Sequence, residues 1–334
     1  MAKLTDEFIL AWDSLAGESK MDGWRSIPIP CASACRMMAA RRFPGNRESL
    51  LVNFPTMKIP ISEKLPDGRG FVIERVDPYS DGKTWLALSR KESGSIELFV
   101  SMVADLVGTL GSDITLSEGL LLTIFLGRVK AWQEFMRKGT EGLEPEAEIG
   151  LIGELSFLTI MIELDIPAAS ALEAWVGPIN GIQDFEIGTG AVEVKATVSR
   201  IGFPIKIGSL EQLDDSIRQP LFLAGARLSQ IESGMNLPEF VSHSYRIIKG
   251  DMEAERIFSD KLLAAGYFNL HDDRYARRFI VTEIRIMEVE DGFPRLTSAN
   301  VPAEIRRAQY EIDFDRIIGG TISPREAFKK LGVL

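Results

Sequence analysis

The sequence predicts a mixed α+β fold, with an α-β-β-β-α-β series in the middle of the chain and β-rich segments on both sides. Three observations predict it. Short apolar runs separated by Gly, Pro, Asp and Asn fill residues 24–105, a pattern typical of strands. Apolar residues three and four positions apart mark helices from about residue 98 to residue 165. Beyond residue 167 the apolar runs become short again and alternate with helical segments.

The length of the chain allows more than one domain. Its 334 residues exceed the usual size of a single domain. From the pattern we expect a β-rich N-terminal domain over residues 1–110, a core over residues 111–230, and C-terminal helices and strands over residues 231–334. The last segment is expected to pack on the core or on the N-terminal domain.

The N-terminal domain is predicted to begin with a short amphipathic helix and to continue as strands. Residues 1–20 carry the helical pattern but lack the uninterrupted apolar stretch and cleavage site of a signal peptide. No apolar run approaches the roughly 18 residues that span a bilayer, so we expect a cytoplasmic protein without membrane contact. The apolar runs of this domain are RSIPIP (25–30), SLLVNFP (49–55), GFVIERV (70–76), TWLALSR (84–90) and SIELFVSMVADLV (95–107).

The core is predicted to open with two helices. The first covers residues 115–138, with Thr115 or Ser117 as its N-cap, and the second covers residues 146–165. Glycine-separated apolar runs within residues 171–200 predict strands. The later elements are a strand at 203–208, a helix at 209–219 that opens with a serine cap, a strand at 221–228, helices at 237–249 and 252–266, and strands within 277–296 and 309–317.

The charge of the chain restricts its functions. The 48 acidic residues outnumber the 38 basic residues and give a net charge of −10, which argues against nonspecific coating of nucleic acid. A nuclease that binds DNA through local arginine clusters, or through a partner subunit, is compatible with this charge. Such clusters lie at residues 41–47, 274–278 and 305–307, although a cluster of this kind is more often a solvated face than a phosphate clamp.

Cysteine and histidine are too scarce for several kinds of site. The chain contains only Cys31, Cys35, His243 and His271, which disfavours a tetrahedral zinc site and a serine–histidine triad. Any metal chemistry must therefore use carboxylates, and carboxylate ligands favour Mg²⁺ or Mn²⁺.

A hairpin with three charged side chains is the main candidate for a functional site. In DFEIGTGAVEVKAT (184–197), a turn at Gly188-Thr189 places Asp184 opposite Glu193 on one face. Lys195 is two residues beyond Glu193 and shares this face, while the valines between them point into the core. Two carboxylates about 5 Å apart across a strand pair repel each other unless a cation lies between them. The alternative is an exposed hairpin with an ordinary Glu–Lys surface pattern.

A fourth charged residue lies on the preceding helix. Glu154 has Leu151, Phe157 and Leu158 at helical spacing around it, so it lies on the apolar stripe, where an unpaired charge is costly to bury. A carboxylate in this position needs a partner, and a metal ion is one candidate. A buried salt bridge to an arginine is the alternative.

A helix with an inward glutamate, then a strand with aspartate, then a strand with Glu-x-Lys resembles the PD-(D/E)xK nuclease superfamily. The segments GELSFL (153–158), WVGPINGIQDFEIGTGAVEVKAT (175–197) and SLEQL (209–213) more narrowly resemble a bacterial family assigned to this superfamily on its motif. DGFPRL (291–296) and QYEIDF (309–314) extend the likeness over most of the chain. The resemblance implies a restriction-endonuclease-like α-β-β-β-α-β core within residues 111–230.

The resemblance also implies roles for individual residues. Asp184 and Glu193 would ligate Mg²⁺ or Mn²⁺, together with the backbone carbonyl of Val194. Lys195 would position or activate the attacking water, and Glu154 would complete the acidic set.

Two further positions bear on this comparison. Gln212, on the predicted helix after the motif strand, resembles an accessory glutamine of some branches; a residue of the helix surface is the alternative. Gln183 stands directly before Asp184, where the motif in its full form has proline.

Together these features predict a metal-dependent DNA endonuclease that hydrolyses phosphodiester bonds. The resemblance points to restriction or phage-defence systems, whose other subunits would be its partners besides DNA. A catalytically silent subunit of a DNA-processing complex, with the fold used for docking, is the first alternative. The second is a structure-selective resolvase acting on branched DNA, which would be a symmetric homodimer.

Overall fold

The computed structural model describes residues 2–57, 65–111, 116–138, 142–179 and 181–334, and these ranges contain eleven strands and eight α-helices. The fold is therefore mixed α+β, as predicted. The chain divides into two compact units, Met1–Thr140 and Glu141–Leu334. Within the described ranges, no helix has both the length and the apolar character that a membrane span requires.

The first unit is built on a five-stranded antiparallel sheet with the order β1-β2-β3-β5-β4. Its elements are α1 (Ala2–Leu15), β1 (Gly23–Ile29), β2 (Arg36–Phe43), β3 (Arg47–Asn53), β4 (Phe71–Val76), β5 (Trp85–Arg90), α2 (Ile96–Gly111) and α3 (Glu118–Lys138). The predicted N-terminal helix and four of the five predicted runs are confirmed as helix and strands. The hydroxyl of Ser117 accepts a hydrogen bond from the Leu120 amide at 3.4 Å, as expected of the N-cap of α3.

Two parts of the first unit differ from the prediction. The run 95–107 belongs to helix α2, because Phe99, Val103 and Leu106 recur at helical spacing and are buried together. The basic segment 41–47 is part of the β2–β3 hairpin. Its Arg41 is buried and donates to the Trp12 carbonyl at 2.7 Å, so this arginine is not part of a solvated face.

The second unit is built on a four-stranded sheet with the order β10-β9-β7-β6. β7 and β9 are parallel, whereas β6–β7 and β9–β10 are antiparallel. β8 and β11 form a separate antiparallel pair. The elements are α4 (Pro145–Glu163), α5 (Ala168–Ala174), β6 (Phe185–Ile187), β7 (Gly190–Thr197), β8 (Pro204–Ile207), β9 (Leu221–Met235), α6 (Leu237–Ile248), α7 (Met252–Ala265), β10 (Phe279–Glu288), β11 (Tyr310–Asp313) and α8 (Pro324–Lys330).

Helix α4 packs closely on the sheet because it has a glycine at the contact. A Cβ on Gly153 would lie 3.0 Å from the Cβ of Ala196 on β7. The buried side chains of Val192 and Val194 pack in the same core, and each contributes roughly 1.5–3 kcal/mol through removal from water. This contact fixes the height of Glu154, the residue after Gly153, relative to β7.

Two predictions about the second unit are wrong. The segment after Pro167 starts with helix α5 and not with a strand; this helix is too short for its periodicity to be visible in the sequence. The helix predicted over 209–219 is a series of bends and turns. There the side chains of Ser209, Gln212 and Asp214 accept hydrogen bonds from nearby backbone amides, which competes with helix formation.

The hairpin of the motif has the predicted register. Phe185 pairs with Val192 and Ile187 pairs with Gly190, so the loop has two residues. A Cβ on Gly190 would lie 2.0 Å from the Pro220 carbonyl oxygen and 2.7 Å from Cδ2 of Leu331. The backbone at Gly190 is therefore closed in by the rest of the unit.

We expect Gly190→Ala to destabilise the protein by about 2–3 kcal/mol, because a carbonyl oxygen cannot move away as a flexible side chain could. Gly150→Ala on α4 is the matched control. A Cβ at Gly150 meets nothing within 4 Å, and alanine is the better helix former by about 0.5–1 kcal/mol. Urea denaturation of both variants measures the difference. Equal stability of the two variants would contradict the packing at Gly190.

Candidate active site

The four charged residues selected from the sequence lie together where β6 begins beside β7. Glu193 and Lys195 are on β7, Asp184 directly precedes β6, and Glu154 is on α4. Glu193 Oε1 lies 2.5 Å from Lys195 Nζ. Asp184 Oδ1 and Glu154 Oε2 lie 2.8 and 3.3 Å from the point that a Cβ on Gly177 would occupy, so these two oxygens are at most about 6.1 Å apart.

Asp184 takes the place of a missing strand partner. The pairing of β6 with β7 starts at Phe185 and Val192, so no residue of β6 pairs with Val194. The Val194 amide instead donates to Asp184 Oδ2 at 2.8 Å. In a strand, the amide and carbonyl of one residue face the same neighbour, so the Val194 carbonyl points into this gap as well.

The backbone before Asp184 is folded against it. The amides of Val176 and Gly177 both donate to the Asp184 carbonyl, each at 2.9 Å. A Cβ on Gly177 would lie 2.8 Å from Asp184 Oδ1, so a side chain here would displace the Asp184 carboxylate. Sequence reasoning missed Gly177, although it lies within the segment on which the family resemblance was based.

Trp175 is a further residue of the site that sequence reasoning missed. Its indole Nε1 donates to Glu154 Oε2 at 2.6 Å. The ring is fully buried and stacks on Phe185, with 6.4 Å between the ring centroids. The buried ammonium of Lys261 on α7 donates to the Trp175 carbonyl. Trp175 is thus held at both ends and orients the carboxylate of Glu154.

Burial makes the acidic groups of the site difficult to ionise. It raises the pKa of Glu193, the least exposed of them at 1%, well above its usual range. Glu154 is half-buried as a residue, but protein encloses its carboxylate; burial and the neighbouring Asp184 raise its pKa to about 8. Burial also raises the pKa of Asp184, opposed by Lys195 and by the hydrogen bond from Val194.

Lys195 is the one ammonium among these three carboxylates. Burial alone would lower its pKa, but attraction to Glu193 and Asp184 outweighs burial and raises the pKa above its usual value. Lys195 therefore stays charged at neutral pH. When all three carboxyl groups are ionised, one positive charge faces three negative charges. The site would then bind a further cation favourably.

The donor atoms of the site suit a hard divalent cation. Glu193 Oε2 accepts no hydrogen bond from the described residues, although it is buried. Carboxylate oxygens and a backbone carbonyl are the ligands that Mg²⁺ and Mn²⁺ prefer. In the described ranges, however, no three Asp, Glu, His or Cys side chains are already arranged as metal ligands.

Gln212 lies in the turn that replaces the predicted helix. Its side-chain oxygen accepts from the Gly208 amide at 2.7 Å. Its carbonyl, together with that of Glu211, faces the side-chain amide of the buried Gln183, at 3.4 and 3.2 Å. The described contacts of Gln212 thus brace the residue before Asp184, and an accessory catalytic role for Gln212 stays a prediction.

A comparison with known protein families identifies the class of this protein. The structure brings Asp184, Glu193 and Lys195 of one hairpin together with Glu154 of the flanking helix, and these are the residues that the sequence motif selected. A family model described as "Putative PD-(D/E)XK family member" (DUF4420) matches residues 8–315, and the chain belongs to this family. The superfamily consists mostly of nucleases, which generally use Mg²⁺ or Mn²⁺. Comparisons with curated proteins and with solved structures found no match.

The raised pKa of Glu154 predicts how the stability of the metal-free protein depends on pH. Between the ordinary value of 4.5 and about 8, the unfolded chain has lost this proton while the folded chain keeps it. Stability therefore falls as pH rises through this window. Glu154→Gln removes this contribution, because glutamine does not ionise but can still accept from Trp175.

We expect the Tm of Glu154→Gln relative to wild type, in EDTA, to rise between pH 5 and pH 8 by at least about 3 °C. Glu163→Gln, at an exposed position of the same helix, should show a constant difference. Thermal melts across this pH range provide the measurement. A Tm of Glu154→Gln relative to wild type that stays constant or falls between pH 5 and pH 8 would exclude the buried carboxylate.

Proposed function

We propose that the protein is a Mg²⁺- or Mn²⁺-dependent DNA nuclease, and that α4, β6, β7 and β9 form its restriction-endonuclease-like core. The observation that carries this proposal is the convergence of Asp184, Glu193, Glu154 and Lys195 at one edge of the sheet. A fold that used these residues only for stability would gain nothing from three neighbouring buried carboxylates, because their mutual repulsion and desolvation oppose folding.

Asp184, Glu193 and the Val194 carbonyl would hold the ion, with Glu154 completing the acidic set. When bound, the ion supplies a Lewis acid for the scissile phosphate and a water of lowered pKa. Its charge would favour the ionised carboxylates, which burial otherwise disfavours. Cation binding is therefore most favourable at a pH at which the carboxyl groups of the site have lost their protons.

The role of Lys195 follows from its charge. Because its pKa is raised, Lys195 is a poor acceptor of protons at neutral pH. We infer that it donates hydrogen bonds to the attacking water or to the phosphate oxygens and stabilises the negative charge that develops on them. Its ion pair with Glu193 keeps the ammonium at the centre of the site until substrate binds.

DNA is the proposed substrate, and restriction or phage defence the proposed setting. A catalytically silent subunit remains the second candidate, and the acidic net charge of −10 favours it. A resolvase that acts on branched DNA as a symmetric homodimer is a special case of the nuclease proposal. Metal binding and cleavage together separate the nuclease from the silent subunit.

Substitutions of Lys195 and Asp184 test the division of roles. Lys195→Met should lower cleavage by at least about 100-fold, since it removes a charge that acts on the transition state. It should leave stabilisation by Mn²⁺ in place. Asp184→Asn should lose both cleavage and stabilisation by Mn²⁺, because it removes a ligand. Lys206→Met, at an exposed position of β8, is the matched control.

The measurements are thermal melts with and without Mn²⁺ and nicking of supercoiled and branched DNA. Wild-type protein that shows neither stabilisation by the ion nor cleavage would refute the nuclease proposal in favour of the silent subunit. Cleavage that survives in Lys195→Met would refute the role of the lysine alone.

A further inference from the structure

The turn after β7, here called the rim loop (residues 198–202), exposes apolar side chains beside the candidate active site. Ile201 is 87% exposed and Val198 is 41% exposed. Arg200, between them, is exposed as well. The rim loop begins three residues after Lys195, which corresponds to about 10 Å along an extended chain. Its side chains are therefore within reach of a DNA molecule bound at the site.

The rim loop is held in one conformation by its own hydrogen bonds. The Ser199 hydroxyl donates to the Ile201 carbonyl at 2.7 Å and accepts from the Ile201 amide at 3.2 Å. The Ser199 amide donates to Thr197 Oγ1 at 3.2 Å. Gly202 ends the loop with a φ of +64°, and its carbonyl accepts from Arg227 at 2.8 Å. These hydrogen bonds thus stabilise the backbone that carries the exposed Ile201.

An ion-pair network supports the end of the rim loop. Arg227 and Arg285 lie 4.3 and 5.1 Å from the ring centroid of the buried Phe203. Both arginines also pair with Glu283 and Asp315, at distances from 2.7 to 3.5 Å. Among the described residues, the neighbours at the end of the rim loop therefore include four charged side chains.

Arg200 differs from these two arginines. Among the residues that the structure describes, its guanidinium has no ion pair and no hydrogen bond. An unpaired guanidinium at the tip of a rigid loop can bind a backbone phosphate without first breaking another contact.

A second apolar rim lies in the segment that precedes Asp184. Ile179 and Ile182 are 55% and 47% exposed in the segment that leads into Asp184. Isoleucine makes few favourable contacts with phosphates and sugars, whereas it packs well on the faces of DNA bases. Apolar side chains beside a phosphodiesterase site therefore suit a substrate whose bases are partly unstacked.

We propose that Ile201 enters the base stack of DNA as a wedge while Arg200 binds an adjacent phosphate, so that the substrate is DNA opened or bent near the point of cleavage. This inference rests on the proposed nuclease function and specifies its substrate. Insertion of isoleucine between base steps is a known means of kinking DNA, and it costs unstacking energy that the contacts must offset.

Short DNA duplexes that carry 2-aminopurine at successive positions provide the probe, with Ca²⁺ in place of Mg²⁺. We expect wild-type protein to raise the fluorescence of the probe at one or two positions, because the wedge unstacks the base. Ile201→Ser should abolish this rise and increase Kd about tenfold. Arg200→Gln should keep the rise at saturation but reduce the salt dependence of binding by about one phosphate contact.

Ile318→Ser is the matched control, since Ile318 is a fully exposed isoleucine of the same unit outside both rims. It should bind as wild type does. Unchanged fluorescence at every probe position would overturn the wedge, and so would wild-type affinity in Ile201→Ser. In either case, plasmid nicking by the wild-type protein would still support the nuclease proposal. Wild-type protein that binds no DNA form would overturn both proposals.

Discussion

The hydrogen bond between the Val194 amide and the Asp184 carboxylate sets the geometry on which the candidate site depends. It forms because β6 starts two residues too late to pair with Val194 of β7. The side chain therefore fills an edge position that backbone normally occupies. Glu154 of α4 comes close to Asp184 at the same place, and the Val194 carbonyl faces this edge. A longer β6 would close the edge with a backbone ladder and leave no space for ligand oxygens.

This arrangement is electrostatically unfavourable, and interactions in the surrounding structure offset the cost. One ammonium, Lys195, lies among three carboxylates that burial makes hard to ionise. Trp175 fixes the direction of Glu154, and Lys261 on α7 holds the Trp175 backbone. The close contact of Gly153 with Ala196 holds α4 at the required height. Packing and buried hydrogen bonds thus maintain a set of charges that would otherwise separate.

Local rules predicted the elements whose signal is contained in a short window. The hairpin register followed from Gly188-Thr189, and α4 followed from its apolar spacing. The segment 209–219 had the composition of a helix start, but its polar side chains bond to the backbone of turns instead. Lys261 could not be predicted from a motif, because its partner Trp175 is 86 residues away in the sequence.

The indole of Trp175 has an optical consequence. It is fully buried, and its N–H is bonded to a carboxylate whose charge depends on protonation and on any bound cation. An indole is sensitive to the electric field along its ring, so its emission should shift when the charge of Glu154 changes. The chain has four other tryptophans that also emit. The emission of Trp175 is therefore obtained as the difference between wild type and Trp175→Phe. The protein therefore carries an intrinsic reporter of the state of its acidic cluster, without any attached dye.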